Sequence, residues 1–175
     1  MAKERFKLDL FEIVPMIQED IVGTFVNIDK EFLHLKEWYY SDAISSQNEK
    51  KSRTYVAKYE GKVVGYISLS LSLLKAIPKK DNTTKYNFQV LLVGKLLVDP
   101  LFRGRGIGDK MVKFALDMAE VLDNMVGCAG VLVHSNKNVR TVNFYSEFGF
   151  VRLLDKDSES CVPMFFSLLE KPVLK

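Results

Sequence analysis

The sequence predicts an α/β protein, with a mixed central sheet and helices packed on its faces. Three observations predict it. Near-continuous or period-two apolar runs such as "YISLSLSLL" and "FQVLLVGKLLV" alternate with runs of helical period such as "DKMVKFALDMAEVL". The order is strand, helix, hairpin, long strand, helix, strand, helix, hairpin. Three glycines in five residues, Gly104, Gly106 and Gly108, stand between the longest apolar strand and a helix. A chain of 175 residues is expected to form one domain over residues 1–175, with a core that needs neither metal nor disulfide.

A first strand is expected around "FKLDLFEIV". Helical signals then run from Asp29, an N-cap residue type, through "KEFLHLKEWYYSDAISSQ", where Phe32, Leu35, Tyr39 and Ile44 recur at roughly helical spacing. "RTYVAKYEGKVVGYISLSLSLL" reads as two strands joined at Glu60-Gly61-Lys62. In its second strand Tyr66, Ser68, Ser70 and Ser72 alternate with Ile67, Leu69, Leu71 and Leu73, the pattern of a half-buried strand. "AIPKKDNTTKYN" is a polar loop, and "FQVLLVGKLLV" is apolar enough for a strand buried on both faces, interrupted at Gly94 and Lys95.

The helix after the glycines places Met111, Ala115, Met118 and Leu122 on one face, beside Val112 and Ala119. "GCAGVLVHSN" is a short buried strand. "NKNVRTVNFYSEFGF" reads as a helix from Asn138 stopped at Gly149, and "FVRLL" and "CVPMFFSLL" as closing strands around the acidic loop "DKDSES".

Composition excludes several classes. At 47% hydrophobic residues the chain is typical of soluble globular proteins, and no apolar run nears the roughly 20 residues that span a bilayer. The opening residues carry no signal-peptide core, so the cytoplasm is the expected compartment and a membrane is not an expected partner. The two cysteines, Cys128 and Cys161, sit in apolar runs without a neighbouring histidine and read as core residues, not nucleophiles. No metal-ligand spacing occurs. Net charge is +3, but residues 75–105 carry seven basic side chains and two acidic ones. That local excess suits an anionic partner, or equally a solvated lysine-rich loop.

Arg103-Gly104-Arg105-Gly106-Ile107-Gly108 follows a strand and opens a helix. The first turn of a helix has unpaired N–H groups and partial positive charge, and glycines let an anion come close. Phosphate or pyrophosphate is the expected ligand, with Arg103 and Arg105 adding charge. The spacing is not the G-x-G-x-x-G of a dinucleotide site, and no G-K-[ST] follows as in a P-loop. A bare strand-to-helix connection is the remaining alternative.

The segment resembles the GNAT family of N-acetyltransferases, whose acetyl-CoA signature [RQ]-x-x-G-x-[GA] is matched by Arg103, Gly106 and Gly108, after Val98 and Pro100. Asn138 and Tyr145, before Gly149-Phe150, match a second element of that family. Within it, "SRTYVAKYEGKVVGYISLS", "VLLVGKLLVDPLFRGRGIG" and "LVHSNKNVRTVNFYSEFGF" are similar to the subgroup holding the tRNA-acetylating toxins of bacterial toxin–antitoxin modules.

The resemblance implies a GNAT fold of about seven strands, splayed where acetyl-CoA binds. It implies that backbone amides of Arg103, Gly104, Arg105, Gly106, Ile107 and Gly108 bind the pyrophosphate. Leu97 and Val98 would pair with the pantetheine arm, Asn138 would bond near it, and Tyr145 would protonate the leaving thiolate after direct attack by an amine. No metal is implied. Phe144 is expected in the core. Many relatives carry a glutamate base on the long strand, where this chain has Lys95; His134 is a candidate in its place, with a structural role for that histidine and transfer without a protein base as the alternatives.

An α-amine titrates near 7.7–8.0 and a lysine near 10.4, so a missing carboxylate tilts the expectation toward an α-amine. The subgroup implies aminoacyl-tRNA as acceptor, with the lysines of residues 75–85 and a helix carrying Lys50, Lys51 and Arg53 against RNA phosphates. An antitoxin protein and a second copy of the chain are the candidate protein partners. A small-molecule amine (a polyamine or aminoglycoside), a protein amine, or an inactive acetyl-CoA-binding module are the alternatives.

Overall fold

The computed structural model describes residues 11–21, 24–76, 86–153 and 161–169. Its strands are β1 (Phe11–Pro15), β2 (Arg53–Tyr59), β3 (Lys62–Ala76), β4 (Tyr86–Val98), β5 (Gly130–Asn136), β6 (Val151–Arg152) and β7 (Cys161–Ser167). Its helices are α1 (Leu33–Ser41), α2 (Ala43–Asn48), α3 (Ile107–Val126) and α4 (Val139–Glu147). The seven strands form one sheet in the order β1-β2-β3-β4-β5-β7-β6. The sheet is mixed: β4 and β5 are parallel, with Leu91–Val93 opposite Val131–Val133, whereas β1/β2, β2/β3, β5/β7 and β6/β7 are antiparallel. The fold is therefore the α/β arrangement that the sequence predicts.

The chain divides into two compact units, Met1–Leu69 with Lys95–Phe114, and Ser70–Gly94 with Ala115–Lys175. In the first, Met16, Phe25, Tyr39, Ala43, Val56, Val63, Tyr66 and Leu97 form a buried cluster, with Phe32, Leu35, Trp38 and Ile44 packed against it. All four residues expected on the inner face of the first helix thus face this core. Phe25 meets Tyr39 edge-on at 5.0 Å and Tyr66 at 5.7 Å, geometry that adds about 0.5–1.5 kcal/mol per pair beyond burial. The hydroxyls stay bonded: Tyr39 donates to the Asp20 carbonyl at 2.9 Å, and Tyr66 to that of Leu35 at 2.7 Å. Buried Asp20 pairs with Lys58 at 2.6 Å and accepts from the Ile17 N–H at 3.0 Å.

Gly65 on β3 admits α3 to the sheet. A Cβ there would stand 2.9 Å from Met111 Cε, 3.1 Å from the Leu97 carbonyl oxygen and 3.4 Å from Ile107 Cγ2. The β2–β3 hairpin turns through Glu60 (φ 48) and Gly61 (φ 77), both left-handed, which matches the twist of the flanking strands.

In the second unit Leu74, Val90, Ala129, Leu132 and Phe165 form the core. Gly130 adopts φ +148, and a Cβ on it would lie 1.9 Å from the Phe166 carbonyl oxygen, so this strand start requires glycine.

Several expectations are corrected. The first helix is not continuous. A 3-10 turn at Lys30–Phe32 precedes α1, and the chain breaks at Asp42 (φ −121), which closes α1 and opens α2. Aspartate bonds its own neighbourhood in preference to continuing a helix, and Ser41 Oγ donates to its carboxylate at 2.5 Å. Asp29 precedes the 3-10 turn but makes no side-chain capping bond. The Ser/Leu alternation of β3 does not sort inside from outside. Tyr66, Ile67, Ser68 and Leu69 are all buried, whereas Leu71 and Leu73 are 70% and 53% exposed.

On β4, Val90, Leu91, Val93 and Leu97 are buried but Leu92, Leu96 and Val98 only half so, and the strand continues through Gly94 and Lys95. Lys50, Lys51 and Arg53 are not on a helix. Lys50 follows α2 with φ 61, Lys51 pairs with Glu49, and Arg53 begins β2. β6 is shorter than "FVRLL" suggests. Residues 6–10 of the first strand, Lys79, Lys80, Lys85 and the loop "DKDSES" lie outside the described residues.

Candidate cofactor-binding turn and catalytic tyrosine

The glycine-rich turn is built from its leading residues. The Asp99 N–H donates to the Val64 carbonyl on β3 at 2.9 Å, and its buried carboxylate accepts from the Leu101 N–H at 2.9 Å. Pro100 opens a 3-10 turn through Phe102. Gly104 and Gly106 follow at φ +72 and +77, conformations that side chains strain to reach. A Cβ on Gly104 would meet nothing within 4 Å, so the backbone is open on that side.

Buried Ile107 anchors the first turn of α3. The Lys110 N–H donates to the Gly106 carbonyl at 3.0 Å, which leaves the N–H groups of Ile107, Gly108 and Asp109 without intrahelical acceptors. These residues can hold a pyrophosphate: bare amides, open glycine backbone and the positive end of a 20-residue helix.

The arginines differ. The Arg105 guanidinium lies over the Phe102 ring at 5.1 Å. Arg103 pairs with Asp29, lies over the Phe32 ring at 5.5 Å, and its Nε donates to the Val98 carbonyl at 3.4 Å. Leu97 and Val98 differ too. Backbone groups alternate sides along a strand. Since the Asp99 N–H reaches β3, the Leu97 backbone faces β3 as well, and only that of Val98 faces away.

In the second unit Asn138 caps α4, its Oδ1 accepting from the Arg140 N–H at 2.9 Å, and its own N–H donates to Asn136 Oδ1 at 2.8 Å. Gly149 (φ +89) ends the helix, with its N–H on the Ser146 carbonyl at 2.9 Å, as the sequence predicts. Between them Tyr145 is buried, its ring edge-on to Phe144 at 5.1 Å and Phe150 at 5.5 Å. Burial pushes its hydroxyl well above the usual tyrosine range. The phenol is therefore neutral and protonated at physiological pH, and among the described residues its hydroxyl has no hydrogen-bond partner. His134 is exposed on β5, opposite Pro163 of β7. Among the described residues no group of three or more His, Cys, Asp or Glu could hold a metal, and no helix is long and apolar enough to cross a membrane.

The sequence reading missed Gly65 and the role of Asp29. A lone glycine inside a β pattern is a signal of close backbone approach. Nothing local marks Asp29 as the partner of a residue 74 positions on.

The pattern of the Acetyltransferase (GNAT) family matches residues 15–150. The chain is 27% identical over 124 residues, 70% of its length, to an uncharacterised N-acetyltransferase of Methanocaldococcus jannaschii, of which it spans about half (49%). Among solved structures, a mutant of the AtaT toxin bound to the C-terminus of the antitoxin AtaR superposes with TM-score 0.71 at 22% identity, covering 90% of this chain and 91% of that one. AtaT complexed with acetyl-methionyl-tRNAfMet gives 0.70 at 22%, covering 90% and 94%. A mutant of KacT gives 0.74 at 18%, covering 90% and 95%. At these identities the likeness to solved structures is one of fold. The match to the family pattern spans most of the sequence, and the chain belongs to the acetyltransferase (GNAT) family.

Proposed function

We propose that this chain is an acetyl-CoA-dependent N-acetyltransferase that acts by direct transfer to a primary amine, and that its acceptor is the α-amine of an aminoacyl-tRNA. The observation that carries the transferase reading is the glycine-rich Gly104–Gly108 turn at the start of α3, open at Gly104, in a chain of this family. Acetyl-CoA supplies an activated thioester whose sulfur leaves as the acetyl group passes to nitrogen. The turn's amides hold the pyrophosphate, and Val98, whose carbonyl accepts from Arg103 Nε, offers its N–H at the edge of β4 to the pantetheine arm. Asn138, whose Oδ1 caps α4, is the residue proposed to lie near the pantetheine arm.

Tyr145 gives its proton to the leaving sulfur and recovers one from solvent, while the acceptor nitrogen loses a proton to water. A neutral, buried phenol with an unoccupied hydroxyl suits that step and argues against an inactive binding module. Direct transfer needs no protein nucleophile. Cys128 is buried with its Sγ against the Gly130 carbonyl at 3.4 Å, and Cys161 is half-buried at the start of β7.

Two observations favour a charged-tRNA acceptor. AtaT, of similar fold over 90% of this chain, is a protein solved with acetyl-methionyl-tRNAfMet. The basic excess of residues 75–105 suits an RNA backbone. By the likeness to a toxin solved with its antitoxin, an antitoxin protein is the proposed regulator. A second copy of the chain is proposed as a further partner, and the cytoplasm, where both substrates occur, as the compartment.

The test is acetyl transfer from labelled acetyl-CoA to total charged tRNA, to a panel of polyamines and aminoglycosides, and to protein. Transfer to charged tRNA that weakens as salt rises supports the reading. Efficient turnover of a free amine with none on tRNA replaces it with the small-molecule reading.

A further inference from the structure

The side chain of Arg103 is turned toward the segment leading into α1. Asp29 pairs with its guanidinium, the Phe32 ring stacks on it at 5.5 Å, and its Nε rests on the Val98 carbonyl at 3.4 Å. The side chain is 24% exposed, against 53% for Asp29. Asp29 is placed to cap the 3-10 turn that follows, and its carbonyl accepts from the Phe32 N–H at 2.9 Å, yet its carboxylate makes no capping bond. It is given to Arg103 instead.

The segment is held at its other end as well. Tyr40 donates to the Thr24 carbonyl, and Phe25 (φ 60) is fully buried although a bulky residue avoids that backbone region. Asn27 also stands at φ 60. Residues 24–32 are thus fixed in a conformation that their own preferences do not supply.

We propose that Asp29 and Phe32 are positioning residues for the cofactor. Acting through Arg103, they fix the glycine-rich turn to the α1 lead-in, so that the turn meets the pyrophosphate with its backbone amides and not with the Arg103 charge. This rests on the acetyl-CoA reading above. It also separates the two arginines of the motif: Arg103 secures the turn, whereas the Arg105 guanidinium lies over the Phe102 ring at 5.1 Å.

The two roles for Arg103 predict opposite signs. If it contacts phosphate, Asp29→Asn frees the guanidinium, removes a repelling carboxylate and tightens acetyl-CoA binding. If it is an anchor, Asp29→Asn loosens the turn and weakens binding by about two- to fivefold, the range of a half-exposed ion pair. Calorimetric titration of acetyl-CoA into wild type, Asp29→Asn, Arg103→Ala and the double variant decides. We expect the single losses to be non-additive, Asp29→Glu to restore affinity, and the acetyl-CoA KM to rise more than kcat falls in Asp29→Asn.

A ligand-free arm stands apart from the acetyl-CoA reading. Amide hydrogen exchange at Gly104, Arg105 and Gly106 should quicken in Asp29→Asn, while that of β2 and β3 stays as in wild type. Unchanged exchange in the turn, or tighter acetyl-CoA binding by Asp29→Asn, overturns the inference. Failure of wild type to bind acetyl-CoA overturns the reading of the site.

Discussion

Gly65 and Leu97 approach so closely that a methyl group on Gly65 would stand 3.1 Å from the Leu97 carbonyl oxygen. Met111 Cε could swing aside, but the carbonyl belongs to the backbone of β4 and cannot. Gly65→Ala should therefore lower stability by about 1–3 kcal/mol, the usual cost of overpacking. The urea midpoint measures it. Affinity for acetyl-CoA should fall too, because Ile107 and Met111 seat the first turns of α3 beside the same glycine.

Gly108→Glu tests the turn more cleanly than a change at Gly106. Gly106 has φ +77, so any side chain there strains the backbone whether or not a ligand binds. Gly108 is inside α3, where glutamate is a good helix former. The ligand-free melting temperature should stay within a few degrees of wild type, while the upward shift on adding acetyl-CoA disappears. A retained shift would remove the pyrophosphate from this turn.

Tyr145→Phe keeps the ring against Phe144 and Phe150 and removes only the hydroxyl. Turnover should drop by about 10²–10⁴-fold, the usual contribution of a general acid. Acetyl-CoA affinity, measured by calorimetry, should remain near wild type. Wild-type turnover in this variant would leave Tyr145 as a core residue alone.

Burial raises the hydroxyls of Tyr39, Tyr66 and Tyr145 above the ordinary tyrosine value of about 10. The folded chain therefore keeps protons that the unfolded chain gives up. Stability should be insensitive to these groups below about pH 10 and fall as pH rises beyond it. Urea midpoints across that range, with tyrosinate absorbance as the second reading, should show unfolding and ionisation together. Loss of activity below that pH should come from other groups, since Tyr145 is still protonated there.

The parts of this protein that were legible in sequence are those where a backbone conformation demands a residue type. Gly104 and Gly106 at positive φ, the Asn138 cap and the Gly149 stop each mark themselves. Helical spacing likewise placed Phe32, Leu35, Tyr39 and Ile44 on the core. The illegible parts depend on neighbours remote in sequence. Ser68 is buried and Leu71 exposed because the environment of β3 changes along its length. The sequence marks Asp29 as a cap, and an arginine 74 residues away recruits it for another duty.

Two strands, β3 and β4, each begin in one compact unit and finish in the other. During synthesis, then, the earliest residues cannot complete their own core. Met16, Phe25, Tyr39 and Tyr66 must wait for Leu97, which emerges only after the first half of β4 has been made for the second unit. At about 5–20 residues per second, the wait from Tyr66 to Leu97 lasts a few seconds at the ribosome. A nascent chain halted before residue 95 would present those aromatics uncovered to chaperones. No single cut can release either unit as a continuous, self-sufficient fragment.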